Sequence, residues 1–210
     1  MFHTNFYTKS QIDKLGNAII YLSNSIKPLY KTKLLKLIYL IEEVSVKKYG
    51  IPFFGFDFQL WRLGPVVKDV FIDLSSTPVL LEDYIETIGS GDGTYIVAKK
   101  EFCDDEFSEL DLEILQAVAT NYRNFTGNEL VEITHRENYP WYNTALQHGY
   151  LDLFNNKSIQ STDIIIDLSS LLNDTPALKE FYLGNLEYQK QSNHLKGNCP
   201  TYSHLGHFGA

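Results

Sequence analysis

Apolar residues recur at helical spacing in the first fifty positions of the chain and predict two consecutive helices. The first begins near Ser10, which forms a capping-box-like pair with Asp13, and ends before Pro28. The second runs from about Thr32 to Tyr49, directly ahead of a glycine. Because apolar residues cover most of its girth, we expect the second helix to lie in the core. Its ends and a narrow exposed face are then expected to hold five lysines: Lys31, Lys33, Lys36, Lys47 and Lys48.

Beyond Pro52, alternating apolar and polar residues predict a strand that runs through Trp61. Gly64 and Pro65 are expected to stop this strand and to start a helix, because proline suits the first helical position. Further along, strand-forming residues on both sides of a glycine-rich segment, 89–93, predict a β-hairpin. This segment lacks the lysine and the following helix of a phosphate-binding loop, so we interpret it as a turn.

Two capping boxes mark helix starts in the second half of the chain. Ser108 is followed by Asp111 and Thr126 by Glu129, each three residues later. Pro140 is expected to open a short helix after them. These signals predict three more helices, which begin at or directly after Ser108, Thr126 and Pro140.

The last quarter of the chain is less regular. The isoleucines at 164–166 fit either a helix or a strand, and a final helix is predicted from about 175 to 194. Taken together, the elements predict an α+β fold that is mainly α-helical. We expect a compact helical domain with a small antiparallel β-sheet or hairpin.

The composition indicates a globular protein of the cell interior. Of the 210 residues, 44% are hydrophobic, which excludes intrinsic disorder. Two cysteines cannot build a disulfide framework, so a reducing cytoplasm is expected. No segment has the roughly 20 consecutive apolar residues of a membrane span, and the first ten residues contain no apolar signal core. We therefore expect a cytoplasmic protein without a membrane partner.

The net charge of −8 is distributed unevenly. Residues 1–50 hold eight lysines against three acidic residues, whereas residues 101–150 hold ten acidic residues against two arginines. The acidic excess is concentrated between Glu101 and Glu113, which we call the acidic run. The acidic run is either a solvated approach to a helix or a face that docks a basic protein. In the second interpretation the candidate partner-binding residues are Asp104, Asp105, Glu106 and Glu109.

Few residues offer recognisable chemistry. His135 is a candidate acid or base, but no nucleophile accompanies it by spacing, and we interpret it as structural. A set of histidines and a cysteine near the C-terminus lacks the paired spacing of a structural zinc site: His194, Cys199, His204 and His207. We therefore expect no catalytic residue, no metal ion and no cofactor.

Three stretches of the sequence together resemble a known family. They are KLLKLIYL at 33–40 with KYGIP at 48–52, WRLGPV at 61–66, and LVEITHRENYPW at 130–141. In this order and spacing they resemble the Panacea domain of the SocA-like antitoxins, also called the phage-associated GepA type. The resemblance extends from Ser10 to Ala145. It departs from the family at Leu63, where an aromatic residue is common.

The resemblance implies a non-enzymatic, bacterial or phage-borne antitoxin. Such a protein would neutralise a cognate toxin by direct contact, and in one mode it would deliver the toxin to a bacterial protease. The implied domain covers residues 1–150; we expect C-terminal helices at 151–196 to pack on the same domain and residues 197–210 to form a flexible tail. The motif residues are expected to serve as scaffold: Trp61, Gly64, Pro65, Thr134, His135, Pro140 and Trp141.

Two other functions stay open at this point. A DNA-binding autoregulator would contact the phosphates of its own promoter through the basic first quarter, with Lys27, Lys31, Lys33 and Lys36. The acidic average charge disfavours this alternative. An enzyme centred on His135 would need a deep polar pocket around the imidazole.

Overall fold

The computed structural model of the chain describes residues 7–91 and 93–197. Its helices are α1 (Lys9–Ser25), α2 (Lys31–Tyr49), α3 (Lys68–Asp73), α4 (Glu109–Tyr122), α5 (Gly127–Thr134), α6 (Pro140–Gln147), α7 (Leu151–Asn155) and α8 (Pro176–Gly197). Its strands are β1 (Leu29–Tyr30), β2 (Gln59–Trp61), β3 (Gly64–Val66), β4 (Ile85–Ser90) and β5 (Gly93–Ala98), and a 3-10 helix covers Leu168–Leu172. The predicted α+β, mainly helical fold is confirmed. No described helix is long and apolar enough to cross a membrane.

Helix α2 occupies the core, as its apolar arc predicts. It packs against α4, α5, β3 and the 3-10 helix, and it ends at Gly50 in the left-handed conformation, with φ of 64°. The expected exposure of its lysines is confirmed for Lys47 and Lys48. It is wrong for Lys33 and Lys36, which are buried. Partner groups on other elements make their burial possible, as described below.

Two carboxylates of α2 are buried as well. The Glu42 carboxylate accepts hydrogen bonds from the backbone N–H groups of Phe53, at 3.2 Å, and Phe54, at 2.7 Å, in the loop that follows the helix. Burial raises the pKa of Glu42 to about 7. Glu43 instead forms an ion pair with Arg136. Both carboxylates of the central helix are therefore bonded to groups from outside the helix.

The segment around Gly64 forms a hairpin, which corrects the prediction of a helix start at Pro65. Strand β2 pairs antiparallel with β3, and Trp61 lies opposite Gly64. Residues 62–63 are the two-residue turn, and α3 begins only at Lys68. Proline is tolerated in β3 because an edge strand does not need every backbone N–H for pairing.

The second predicted hairpin is confirmed. Strands β4 and β5 pair antiparallel across the glycine-rich turn, with Ser90 opposite Gly93. Strand β5 also pairs with β1, where Leu29 lies opposite Ile96, and the strand order is β1–β5–β4. Strand β1 could not be predicted from the pattern because two residues are too few to show a period.

The capping boxes of the second half of the chain are confirmed. Ser108 and Asp111 bond reciprocally at the start of α4, and Thr126 and Glu129 do the same at α5. Pro140 is the first residue of α6, as predicted. Local sequence determines these three helix starts, because the two capping pairs lie within one turn of the backbone and the proline of α6 stands at its first position.

The start of α1 differs from the prediction. Its capping box consists of Thr8 and Gln11, rather than Ser10 and Asp13. Asp13 instead accepts a hydrogen bond from the hydroxyl of Tyr84, which lies 71 residues further along the chain. The side chain expected to cap the helix is thus used in a tertiary contact.

The isoleucine segment, which fits a helix or a strand, is extended. Ile165 forms an isolated antiparallel bridge with Gln59 of β2. Helix α8 follows the 3-10 helix, buries Tyr182, and places Leu178 close to the end of α2. The flexible tail is predicted for residues 197–210. Gly197 is the last residue of α8, and the rest of the predicted tail lies outside the described part of the chain.

Candidate functional site

Segments that carry the sequence motifs meet at the link between α5 and α6. His135 caps the end of α5 and Pro140 begins α6. Trp141, the next residue, is buried, and its indole Nε1–H donates a hydrogen bond to the backbone carbonyl of Trp61 at 2.9 Å. The α5–α6 link is therefore fastened to the β2–β3 hairpin.

His135 lies flat on Trp141. The ring centroids are 3.5 Å apart and the ring planes differ by 10°. Burial, and to a smaller degree the positive charges of Lys36 and Arg62, lower the pKa of His135 to about 3. The imidazole is therefore neutral near pH 7 and packs as a flat ring. A general acid or base for that pH range needs a pKa close to it, which His135 does not have.

Gly64 approaches the end of α5 so closely that no side chain fits. Its φ is 100°, a left-handed conformation that favours glycine. A Cβ at this position would lie 2.7 Å from Thr134 Oγ1 and 2.9 Å from Lys36 Nζ. Thr134 is fully buried, and its hydroxyl donates to the carbonyl of Val131 at 2.9 Å. Both backbone conformation and packing thus require glycine.

Lys36 belongs to the same contacts, although a lysine is expected at the surface. Its ammonium group donates a hydrogen bond to the carbonyl of Pro65 at 3.0 Å, and burial lowers its pKa to about 7. A signal for this burial is present in the sequence, because Lys36 lies one turn before Tyr39 and Leu40 on the apolar arc. We call the assembled set the motif cluster: Lys36, Trp61, Gly64, Pro65, Thr134, His135, Pro140 and Trp141.

Arg136 joins the α5–α6 link to α2. Its guanidinium pairs with the buried Glu43 and donates through Nη1 to the carbonyl of Ile133 at 2.7 Å. It also lies over the ring of Tyr139, 3.6 Å from the centroid, and Lys47 Nζ donates to the Tyr139 hydroxyl at 2.7 Å. These contacts hold the link in place by charge pairing and stacking.

The acidic run contains both engaged and exposed carboxylates. Glu106 is half-buried and accepts a hydrogen bond from the Ser10 hydroxyl. Asp111 is part of a capping box and also pairs with Lys14 at 3.1 Å. Three of the four candidate partner-binding residues are exposed, and within the described residues none of them forms an ion pair: Asp104, Asp105 and Glu109.

The basic first quarter is only partly at the surface. Lys27 is exposed and Lys31 is half-buried, whereas Lys33 and Lys36 are buried. The Nζ of Lys33 donates to the carbonyl of Arg123 at 2.7 Å. Two of the four lysines considered for phosphate contact are therefore turned into the protein, which reduces the positive surface that DNA would meet.

No metal centre is assembled in the described part of the chain, where no three His, Cys, Asp or Glu side chains are grouped to hold an ion. The C-terminal histidine and cysteine set lies outside this part: it comprises the side chain of His194 and the whole of Cys199, His204 and His207. The thiol of Cys103 is free and exposed.

Comparison with protein families identifies a match over the centre of the chain. The family described as antitoxin SocA-like, Panacea domain, matches residues 34–142, just over half of the sequence. The matched segment begins in α2 and ends in α6, so it contains the whole motif cluster and the acidic run. Neither curated proteins nor solved structures gave a match.

Proposed function

The chain belongs to the SocA-like Panacea antitoxin family, and we propose that it neutralises a cognate protein toxin by binding it directly. The observation that carries the proposal is the family match over residues 34–142. That segment includes most of α2, the β2–β3 hairpin and the α5–α6 link, which the motif cluster joins into one unit. The family identity thus applies to a structurally continuous part of the fold.

We propose that neutralisation is non-enzymatic. The neutral, stacked imidazole of His135 supports this, because the residue that would lead a catalytic site is used for packing against Trp141. The other motif residues also have structural uses: Gly64 permits a close approach and Pro140 starts a helix. A binding protein needs such rigidity to present a fixed surface.

Neutralisation would work by covering the part of the toxin that does harm. A stable complex of two small proteins buries about 1,600 Å² in total, enough to cover an active site or a target-binding face. The exposed carboxylates of the acidic run, Asp104, Asp105 and Glu109, are proposed to steer a toxin with a basic surface. Glu106 would contribute less, since its side chain is already bonded to Ser10.

We further propose that residues 1–150 form the antitoxin domain, that residues 151–196 belong to the same domain, and that the protein acts in the bacterial cytoplasm. The burial of Tyr182 and the contact of Leu178 with Gly50 support the assignment of the C-terminal helices.

Co-expression with the neighbouring gene tests the proposal. We expect the neighbour to stop growth when expressed alone and to be harmless when this chain is expressed with it. The control is the same gene with an early stop codon, which separates an effect of the protein from an effect of its RNA. A neighbour that is harmless alone, or that stays lethal beside the intact chain, would overturn the proposal.

The level of the toxin during rescue distinguishes two modes of neutralisation. If the chain only covers the toxin, its half-life stays the same or increases while growth recovers. If the chain delivers the toxin to a protease, the half-life falls, and deletion of that protease restores toxin level and toxicity. Immunoblots after translation arrest measure this difference.

A further inference from the structure

An apolar pocket of about 210 Å³ opens between the start of α2, helix α3 and the β2–β3 hairpin. Five of its lining side chains are apolar: Leu35, Trp61, Leu63, Val66 and Phe71. Binding sites for small molecules usually measure about 300 to 1,000 Å³, so this pocket is below their range. Its size suits a single large side chain.

Exposed apolar side chains surround the mouth of the pocket. Leu63 is 49% exposed at the tip of a two-residue turn, a position that polar residues and glycine usually occupy. The rings of Trp61 and Phe71 pack edge to face, with their centroids 4.8 Å apart, and both side chains remain half-exposed. Single exposed apolar residues need no explanation, but here they surround one concave site, which is typical of a protein-binding site.

The surroundings of the pocket are cationic. Lys31 extends over the ring of Phe71, with Nζ 4.7 Å from the centroid, and Arg62 lies in the turn beside Leu63. Lys36 lines the inner wall. In the part of the chain that the structure describes, neither Lys31 nor Arg62 forms an ion pair with a carboxylate. A partner with a carboxylate beside its apolar side chain would supply the missing negative charge.

We propose that this pocket receives one apolar side chain of the toxin, carried on a segment that also presents a carboxylate to Lys31 and Arg62. The inference rests on the proposed antitoxin function and adds a contact site to it. The pocket lies at the start of α2, whereas the acidic run lies near its end, where Phe107 packs against Phe53. A toxin bound to both would have to be charged oppositely at its two ends.

Affinity measurements with paired variants test the pocket. Leu63→Asp places a charge at the pocket mouth, and we expect the dissociation constant for the purified toxin to rise about 30-fold or more, as for a binding hot spot. Leu146→Asp is the matched control, because Leu146 is 58% exposed on α6 and does not line the pocket. Lys31→Glu should slow association at low salt with less effect at high salt.

The affinity measurements distinguish failure of the pocket proposal from failure of the antitoxin proposal. Equal affinity of the wild-type chain and Leu63→Asp overturns the pocket as a contact site and leaves the antitoxin function intact. Failure of the wild-type chain to bind the toxin overturns both. Sedimentation of the chain alone gives the remaining outcome: a wild-type dimer that Leu63→Asp dissociates would assign the pocket to self-association and overturn the proposal.

Discussion

The imidazole of His135 stacks on the indole of Trp141, with centroids 3.5 Å apart, and the same indole bonds to the backbone of the β2–β3 hairpin. His135, which could be interpreted as a catalytic residue, is therefore part of the contact between the α5–α6 link and the β2–β3 hairpin. Burial in this contact accounts for the low pKa of the imidazole, since a charged ring would lose its hydration there.

His135 should make the protein sensitive to acid. Its pKa of about 3 in the folded chain lies below the ordinary value of 6.5, so between these pH values the unfolded chain binds a proton that the folded chain does not. Stability should fall with decreasing pH in this window, by up to about 1.4 kcal/mol per pH unit. His135→Phe, which keeps a flat ring, should remove this part of the dependence in urea unfolding between pH 4 and 7.

His148→Phe is the matched control for loss of a histidine, because His148 lies exposed at the end of α6. If the curves of the wild type and His135→Phe stay parallel across this pH range, the imidazole is not held in its neutral form and the assignment fails.

Lys36 should make the stability of the protein depend on pH above pH 7. Its pKa is about 7 in the folded chain and 10.5 ordinarily, so the unfolded chain binds the additional proton between these values. Stability of the wild type should therefore rise from pH 7 to 10 relative to Lys36→Met, which cannot titrate. Chemical unfolding at one-unit steps measures this, with Lys27→Met at an exposed site as the control. A pH-independent difference would contradict the burial of a titrating amine.

Gly64→Ala should destabilise the fold by about 2 to 5 kcal/mol. The positive φ contributes strain of about 1 to 2 kcal/mol, and the new Cβ must displace Thr134 and Lys36 in a packed site. Gly184→Ala is the control: it lies on α8 with open space around it, so alanine should stabilise by up to about 1 kcal/mol. Thermal unfolding of the two variants should shift in opposite directions, and a shift in the same direction would refute the close approach at Gly64.

The two candidate caps of α1 can be separated by single alanine substitutions. Thr8→Ala should cost about 1 kcal/mol, because the Thr8 side chain accepts from the backbone N–H of Gln11. Ser10→Ala should cost less, since Ser10 loses only an exposed hydrogen bond to Glu106. Urea unfolding at one pH measures the loss of stability in each variant. A larger loss for Ser10→Ala than for Thr8→Ala would contradict Thr8 as the cap and support Ser10, which the sequence pattern predicts.

Charge reversal tests the acidic run as a steering surface. The double variant Asp104→Lys with Asp105→Lys should slow association with the toxin about tenfold at low salt and weaken its salt dependence. Glu132→Lys with Glu137→Lys makes the same change in net charge at exposed positions outside the run. Equal association rates for the two double variants would exclude a local role for the acidic run.

Helices with local signals could be predicted well from the sequence. Both capping boxes, the proline at the start of α6 and the glycine after α2 act within one turn of the backbone, so no distant contact is needed to place them. The resemblance to the antitoxin family likewise depended on short motifs whose order and spacing are visible in the chain.

Positions that depend on distant partners could not be predicted in this way. Gly64 and Pro65 suit a helix start as well as a hairpin, and the contact with Thr134 and Lys36 favours the hairpin. Lys36 has no local feature that provides the carbonyl of Pro65, 29 residues away, to which it bonds. The apolar pocket beside them is equally invisible in the sequence, because its walls come from α2, from the β2–β3 hairpin with α3, and from Gln160, which are far apart along the chain.

The sequence by itself determined the helical character of this protein, the helix ends that carry local capping signals, its uneven charge and its family, because these follow from patterns over a few neighbouring residues. The tertiary structure alone decided which partners the buried polar side chains bond to, which exposed apolar residues meet around a pocket, and that His135 packs as a neutral ring. Burial and contact depend on residues brought together from distant positions, and no pattern of near neighbours encodes that proximity.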